Sequence, residues 1–363
     1  MTIAITGSNG FLGWHTRVLA HSLGMAVEPI ALGDKFHAED AVAAVEDAAM
    51  VVHVAGVNRG DDDAVRRGNE LFAEQLARAL ESSNRKPSTV VYANSIQSGN
   101  GSSYGRGKEQ AGRILEKAAE KIGARFVDVK LPNLFGEHGL PFYNSVVATF
   151  CHLAANGEPL KVNDDKELVL LHVQTAAEVL LGLHEPEDVL GLATTRLVSE
   201  VAALIEETAA QYSTGTIPDI SDPFKRDMFN TYRSFLVGER LPVSLDRHED
   251  ARGAFFEIVR NRGGEGQSSF STTAPGVTRG QHYHRRKVER FAVLSGTAEI
   301  SMRKLFTDEV VSYQVDGRKP VAIDMPTMWS HNITNTGSDT LYTMFWINEI
   351  FDPTSPDTFP EEV

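Results

Sequence analysis

Three sets of residues in this 363-residue chain have the types and spacings that chemistry requires. In Tyr104-Gly105-Arg106-Gly107-Lys108 a phenol and an ammonium stand four positions apart, on one face of a helix if the helix begins at Tyr104. A phenol with a pKa of about 10 is a poor acid at neutral pH until a cation stabilises its phenolate, and the spacing offers Lys108 for that purpose. Ser95, closing the apolar run Val90-Val91-Tyr92-Ala93-Asn94-Ser95, adds a hydroxyl able to polarise a carbonyl whose oxygen the phenol would protonate. The second set is Thr6-Gly7-Ser8-Asn9-Gly10-Phe11-Leu12-Gly13. Gly7, Gly10 and Gly13, with Asn9 and Phe11 between them, allow a tight turn, a close approach of backbone N–H groups to a pyrophosphate and a close packing of helix on strand. The third set is His282-Tyr283-His284 with Glu289 five residues on, and a distant His331 followed by Asn335. His282 and His284 point to one face of an extended strand, and three imidazoles with a carboxylate suit a divalent ion such as zinc.

The elements that must hold these groups fall into two textures. Up to about residue 190, short apolar runs (Ile3–Thr6, Met50–Val54, Thr89–Ala93, Arg125–Val129) alternate with helical stretches (Gly68–Glu81, Lys108–Gly123), which predicts a parallel α/β sheet. Ser199–Ser213 predicts a further helix, and Pro218–Pro242, with Asp222-Pro223 and Leu241-Pro242, reads as a connector. From Val243 on, strands at Phe255–Arg260, Ser268–Thr272, Phe291–Leu294, Thr297–Met302, Glu309–Val315 and Thr340–Ile347 alternate with turns, the pattern of an all-β sandwich or barrel. Domains at 1–240 and 243–363 follow. The second α/β strand, Ala26–Ala31, leads to Asp34, which would bind a ribose 2′-OH and repel a 2′-phosphate, and to Lys35, which would pair with that phosphate. His53, Ala55 and Gly56, at another strand end, would line the same ligand.

Composition narrows the function classes. With 42% hydrophobic and 23% charged residues the chain is of the soluble globular kind, and a formal charge of -14 argues against long-range steering of nucleic acid. Cys151, the single cysteine, cannot form an intrachain disulfide, and no apolar stretch approaches the roughly 20 residues of a membrane span. A cytoplasmic protein is expected, with neither nucleic acid nor membrane as partner.

The Gly-x-x-Gly-x-x-Gly turn followed by Ser95, Tyr104 and Lys108 resembles the extended short-chain dehydrogenases, whose fold is a Rossmann-type doubly wound parallel sheet. Gly276, His282, His284, Glu289 and Gly296 match both spacings of the first cupin motif; in the second, His331 and Asn335 match while Met328 replaces the usual glycine. Asp250-Ala251-Arg252-Gly253-Ala254-Phe255-Phe256-Glu257 and Thr278-Arg279-Gly280-Gln281-His282 also resemble nucleotide-sugar 3,5-epimerases, a metal-free cupin branch. There arginines at the places of Arg252 and Arg279 hold the diphosphate, and a histidine at that of His282 takes a proton beside a ketone. His282 is thus a candidate both as base and as ligand.

In this order the two halves resemble bifunctional enzymes of capsular polysaccharide synthesis, most densely at His53–Arg59, Pro132–Gly136, Tyr143–Val146, Val162–Asp164 and Asn348–Pro353. The resemblance implies that the cupin barrel epimerises C3 of a UDP-2-acetamido-2,6-dideoxy-4-hexulose and that the dehydrogenase half then reduces its C4 ketone with NADPH, giving the L-talose configuration. It implies Ser95, Tyr104, Lys108 and His282 as catalytic, Asn133, Tyr143 and Asn144 in the UDP-sugar pocket, and a homodimer. NADH as cofactor, another 4-keto hexose nucleotide as substrate, and a UDP-sugar sensor without turnover are the alternatives.

Overall fold

Residues 1–238 and 240–363 are described by a computed structural model, in which two compact units form: Met1–Phe135 with Glu167–Arg196, and Gly136–Lys166 with Leu197–Val363. This division by packing differs from a cut at 240–243, because 136–166 and most of 197–240 pack with the β-rich part of the chain.

In the first unit β1 (Thr2–Thr6), β2 (Ala26–Ile30), β3 (Met50–His53), β4 (Thr89–Ser95) and β5 (Arg125–Leu131) form a parallel sheet in the order β2-β1-β3-β4-β5. The apolar runs are continuous because both faces are covered. Ile3, Ile5, Val52 and Val91 pack on one side with Leu19, Leu171 and Leu180, whereas Ala4, Val51 and Val90 pack on the other with Leu76, Leu80 and Leu115. Strand order reverses between β1 and β3, so their carboxyl ends open the crevice where such sheets receive ligands. The covering helices include α1 (Phe11–Ser22), α2 (Ala38–Asp47), α3 (Asp62–Ser82) and α4 (Ser103–Ile122), with Val173–Leu180 beside α1. Two of them start earlier than their apolar periodicity indicates, since Asp61 caps Ala64 N at 2.8 Å and Ser102 caps Gly105 N at 2.9 Å.

In the second unit two five-stranded sheets form the expected cupin-like β domain. One runs in the order Val243–Ser244, Val321–Met325, Glu289–Ser295, Leu341–Ile347, Gln267–Thr273; the other runs Val310–Asp316, Thr297–Lys304, Trp329–Asn335, Thr278–Tyr283, Phe359–Pro360. Ile300, Met302, Ile323, Met325, Trp329 and Leu341 share one core. The expected strand at Phe255–Arg260 is instead the end of a hairpin, Arg247–Asp250 with Gly253–Phe256. Nor is Pro218–Pro242 only a connector: it holds the helix Pro223–Arg233, for Asp222 caps Lys225 N at 3.1 Å and Pro223 occupies the first turn, where it breaks nothing.

That helix and Val198–Tyr212 are tied to the β-strands by buried charge. Arg290 makes two bonds to Asp324, at 2.6 and 2.8 Å, and Tyr212 donates to Asp324 Oδ2 at 2.5 Å. Arg233 donates to Met325 O at 3.0 Å, and Asn230 to Arg286 O at 2.9 Å. Among the described residues no helix is long and apolar enough to cross a membrane.

Candidate functional site

The first unit gathers its candidates at the carboxyl ends of β1, β3 and β4. Gly7, at φ +67°, lies so close to β3 that a Cβ there would stand 2.8 Å from Ala55 N, and one on Gly13 would stand 2.0 Å from Gly7 O. Both positions therefore demand glycine, as a loop pressed between a strand and a helix start requires. Thr6 was not legible as a site residue, yet its Oγ1 accepts from Val54 N and Ala55 N at 3.1 and 3.2 Å and contacts His53 Nδ1 at 2.8 Å. The His53 ring is buried and stacks on Tyr92, so a ligand in the crevice meets the backbone of the 53–56 stretch. Burial, then Lys108, push the His53 pKa down to about 3, which keeps the ring neutral. Asp34 and Lys35 lie exposed in the turn Gly33–Lys35, which Gln75 pins through Gly33 N at 2.7 Å.

Tyr104, in the first turn of α4, is hydrogen bonded to the Ser95 hydroxyl at the end of β4; burial raises its pKa and that bond lowers it. Lys108 is fully buried, donating to Ala93 O at 2.6 Å with Nζ 4.3 Å from the centre of the Tyr92 ring. The structure thus joins Ser95 to Tyr104, and the buried Lys108 ammonium finds one acceptor in a main-chain carbonyl, as a buried ammonium must. Burial pushes the Lys108 pKa down to about 7 from 10.5, with Asp128 opposing.

A stability prediction follows from that depression. The folded chain binds the Lys108 proton less tightly than the unfolded chain, so the cost of the buried charge is full below pH 7 and vanishes above about 10.5. Lys108→Met should raise stability at pH 6 by roughly 1–4 kcal/mol, and by less at pH 9. Thermal denaturation of both proteins at the two pH values checks this; a pH-independent difference would mean that the ammonium is not held out of water.

In the second unit the histidine motif closes into one cluster. His282 lies on Thr278–Tyr283, His284 just beyond it, Glu289 opens Glu289–Ser295, and His331 lies on Trp329–Asn335, paired across the sheet with His282. Their donor atoms all lie within 4.8 Å of one another. Glu289 Oε2 is 3.0 Å from His284 Nε2 and 3.1 Å from His331 Nε2, close to the edge of about 3.3 Å in a tetrahedron with bonds of about 2.0–2.1 Å. The far nitrogens face main chain: His284 Nδ1 is 2.5 Å from Asp357 O, His331 Nδ1 is 3.2 Å from Trp329 O, and His282 is hydrogen bonded to Gly280. Such outer bonds fix which nitrogen is offered inward.

The electrostatics suit a cation. Burial, then His331 and His284, push His282 down to about 4, leaving it neutral. Burial works against both members of the His284–Glu289 pair, but their attraction outweighs it, raising the pKa of His284 and holding Glu289 well below the carboxylate range. A divalent ion would displace the proton they share. The donor set fits such an ion, zinc included. Met328, in place of the glycine, still takes φ +62° and is fully buried. The backbone strain, about 1–2 kcal/mol, is comparable with what burying the side chain returns, about 1.5–3 kcal/mol.

The remaining candidates are not drawn into this cluster. Arg252 pairs with Asp250 in its own hairpin at 2.5 Å, its side chain 90% exposed. Arg279 is exposed on the strand that carries His282. Asn133, in the first unit, donates to Val169 O at 3.2 Å; Tyr143 and Asn144, in the second, lie exposed before the helix Val146–Ala155.

Comparison with known proteins bears on both units. The polysaccharide biosynthesis C-terminal domain family matches residues 248–359. A UDP-2-acetamido-2,6-beta-L-arabino-hexul-4-ose reductase of Pseudomonas aeruginosa is 32% identical over 372 residues, which cover 99% of this chain and 98% of that protein. The crystal structure of the capsular polysaccharide assembling protein CapF from Staphylococcus aureus aligns over 100% of both chains with 32% identity and a TM-score of 0.64. The spore coat polysaccharide biosynthesis protein SpsL of Bacillus subtilis is 27% identical over 122 residues, 31% of this chain and 81% of its own length. Full-length likeness of this degree, on a chain carrying both a dinucleotide turn and a histidine cluster, shows that the chain belongs to the family of bifunctional sugar-nucleotide enzymes of capsular polysaccharide synthesis.

Proposed function

We propose that this chain epimerises C3 of a UDP-2-acetamido-2,6-dideoxy-4-hexulose at the histidine cluster and then reduces the C4 ketone at Ser95 and Tyr104. The observation that carries this reading is the presence, on one chain, of a bonded Ser95–Tyr104 hydroxyl pair in the unit that holds a dinucleotide turn and of a four-donor cluster in a β domain. A 4-ketone acidifies the proton on C3, so that centre can be inverted through an enolate; reduction of the ketone removes the acidity and fixes the product. The order of steps follows from that chemistry.

At the reduction site the Gly7–Gly13 turn holds the pyrophosphate of a dinucleotide, which supplies hydride to C4. Ser95 polarises the C4 oxygen, Tyr104 delivers the proton to it, and Lys108 orients the nicotinamide ribose. At the epimerisation site His282, His284, Glu289 and His331 hold a divalent ion, zinc by its donor set, which when bound supplies Lewis acidity toward the ketone. His282 is then committed as a ligand, and another group takes the C3 proton. Asn133, Tyr143, Asn144, Arg252 and Arg279 are assigned to the UDP-sugar. The protein works as a cytoplasmic homodimer.

For the cofactor we favour NADPH on family likeness. Asp34 opposes it: a carboxylate facing a 2′-phosphate costs on the order of 1–3 kcal/mol unless Lys35 relieves it. Incubation with the 4-keto UDP-sugar in D₂O, with NADPH and NADH in parallel, tests the whole reading by NMR of the product. Deuterium at C3, a reduced C4 and faster oxidation of NADPH are expected. Faster oxidation of NADH would make Asp34 the governing residue, and neither exchange nor reduction with this or related 4-keto hexose nucleotides would overturn the assignment.

A further inference from the structure

The segment Ser355–Val363 lies outside every motif discussed above, yet it bonds to the histidine cluster from several sides. Asp357, its side chain 1% exposed and its φ at +42°, takes three consecutive backbone donors on one carboxylate: Arg285 N on Oδ1 at 3.1 Å, and Arg286 N and Lys287 N on Oδ2, each at 2.9 Å. The carbonyl of the same residue faces His284 Nδ1 at 2.5 Å. Asp357 therefore grips the short loop between His284 and Glu289 by its backbone while setting the tautomer of one donor ring.

The rest of the segment fixes the strand before that loop. Phe359–Pro360 pairs with it, setting Pro360 against His282 and Phe359 against Tyr283, and the Phe359 and Tyr283 rings stack at 5.2 Å. Gln281, a non-glycine at φ +62° inside the bulge that precedes His282, accepts from Glu361 N at 3.0 Å and, on its side chain, from Val363 N at 2.9 Å. Lys287 Nζ donates to Pro356 O, and Ser330, beside His331, donates to Glu361 O. Arg303 anchors the far end through Glu361 Oε1 and Glu362 O, both at 2.6 Å.

We infer that Ser355–Val363 is a clamp that preorganises the four-donor cluster, with Asp357 as its positioning residue. This rests on the metal reading of the cluster. Asp357 touches no reacting atom; it acts by holding the His284–Glu289 loop in the shape that lets four donors converge without reorganisation. Asp357→Asn keeps the volume but sets an NH₂ group against backbone N–H donors, so at least one of the three bonds is lost along with the charge.

The test is titration of the metal-stripped full chain with Co²⁺, read by its visible absorption and by competition with a chromophoric chelator. Affinity in Asp357→Asn is expected to fall about 10-fold, the lower end of the range found when an outer-shell partner of a metal ligand is removed, because the carbonyl facing His284 is kept and only the grip on the loop is weakened, with an altered Co²⁺ spectrum and unchanged binding of NADPH by the first unit. Arg303→Met, which frees the far end of the clamp away from the donors, should lower affinity by a smaller factor and keeps the inference testable if Asp357→Asn does not fold. Wild-type affinity and spectrum in a folded Asp357→Asn, or in Arg303→Met where Asp357→Asn does not fold, would overturn the clamp. A wild-type chain that binds no Co²⁺ would instead overturn the metal reading beneath it.

Discussion

Tyr104→Phe is expected to lower ketone reduction by about 10²- to 10⁴-fold while exchange of the C3 proton continues at the wild-type rate. The phenol is needed only where hydride arrives, and it is bonded to Ser95 in the first unit, whereas the histidine cluster is built wholly within the second. Loss of one hydroxyl from a largely buried ring should leave the fold intact. NADPH oxidation followed by absorbance, beside deuterium uptake at C3 from D₂O, separates the two steps. Loss of both in a folded variant would refute two separate sites.

His284→Gln should have the opposite signature. Metal content is expected to fall from about one ion per chain to nearly none, C3 exchange to be lost, and the binding of NADPH at Gly7–Gly13 to persist. Stability should fall as well, since removing His284 strips Glu289, itself buried, of its closest partner at 3.0 Å; breaking a buried ion pair from one side costs about 3–5 kcal/mol. Elemental analysis and thermal denaturation measure the two effects. A wild-type preparation free of metal yet fully active in exchange would return the role of free base to His282, which its neutral state permits.

Much of this could be read from local pattern. Apolar runs buried on both faces mark parallel strands, and those read at Ile3–Thr6, Met50–Val54, Thr89–Ala93 and Arg125–Val129 lie within a residue or two of β1, β3, β4 and β5. The spacing of His282, His284 and Glu289 carried their convergence, because a strand puts alternate residues on one face. What escaped was set by capping or by contact between distant residues. Asp61 and Ser102 start helices ahead of the apolar periodicity, and Asp222 starts one inside the stretch read as a connector. The direction of Lys108 depends on a carbonyl fifteen residues earlier, and the roles of Thr6 and Asp357 on partners 47 and 70–73 residues away. No periodicity records such contacts.

The bonds of Tyr212 to Asp324 and of Arg233 to Met325 have a bearing on how such a chain can be inherited. A gene fusion that simply appended a barrel after residue 240 would have met no buried guanidinium and no buried aspartate awaiting partners from upstream helices. In the present chain the structural unit of exchange is discontinuous, 136–166 together with 197–363. A single recombination near residue 240 between two divergent members of the family would bring Arg290 and Asp324 from one parent against Tyr212 and Arg233 from the other. Such chimeras should be purged unless those four residues agree, so within this family crossovers are expected at the borders of the discontinuous unit and not near residue 240.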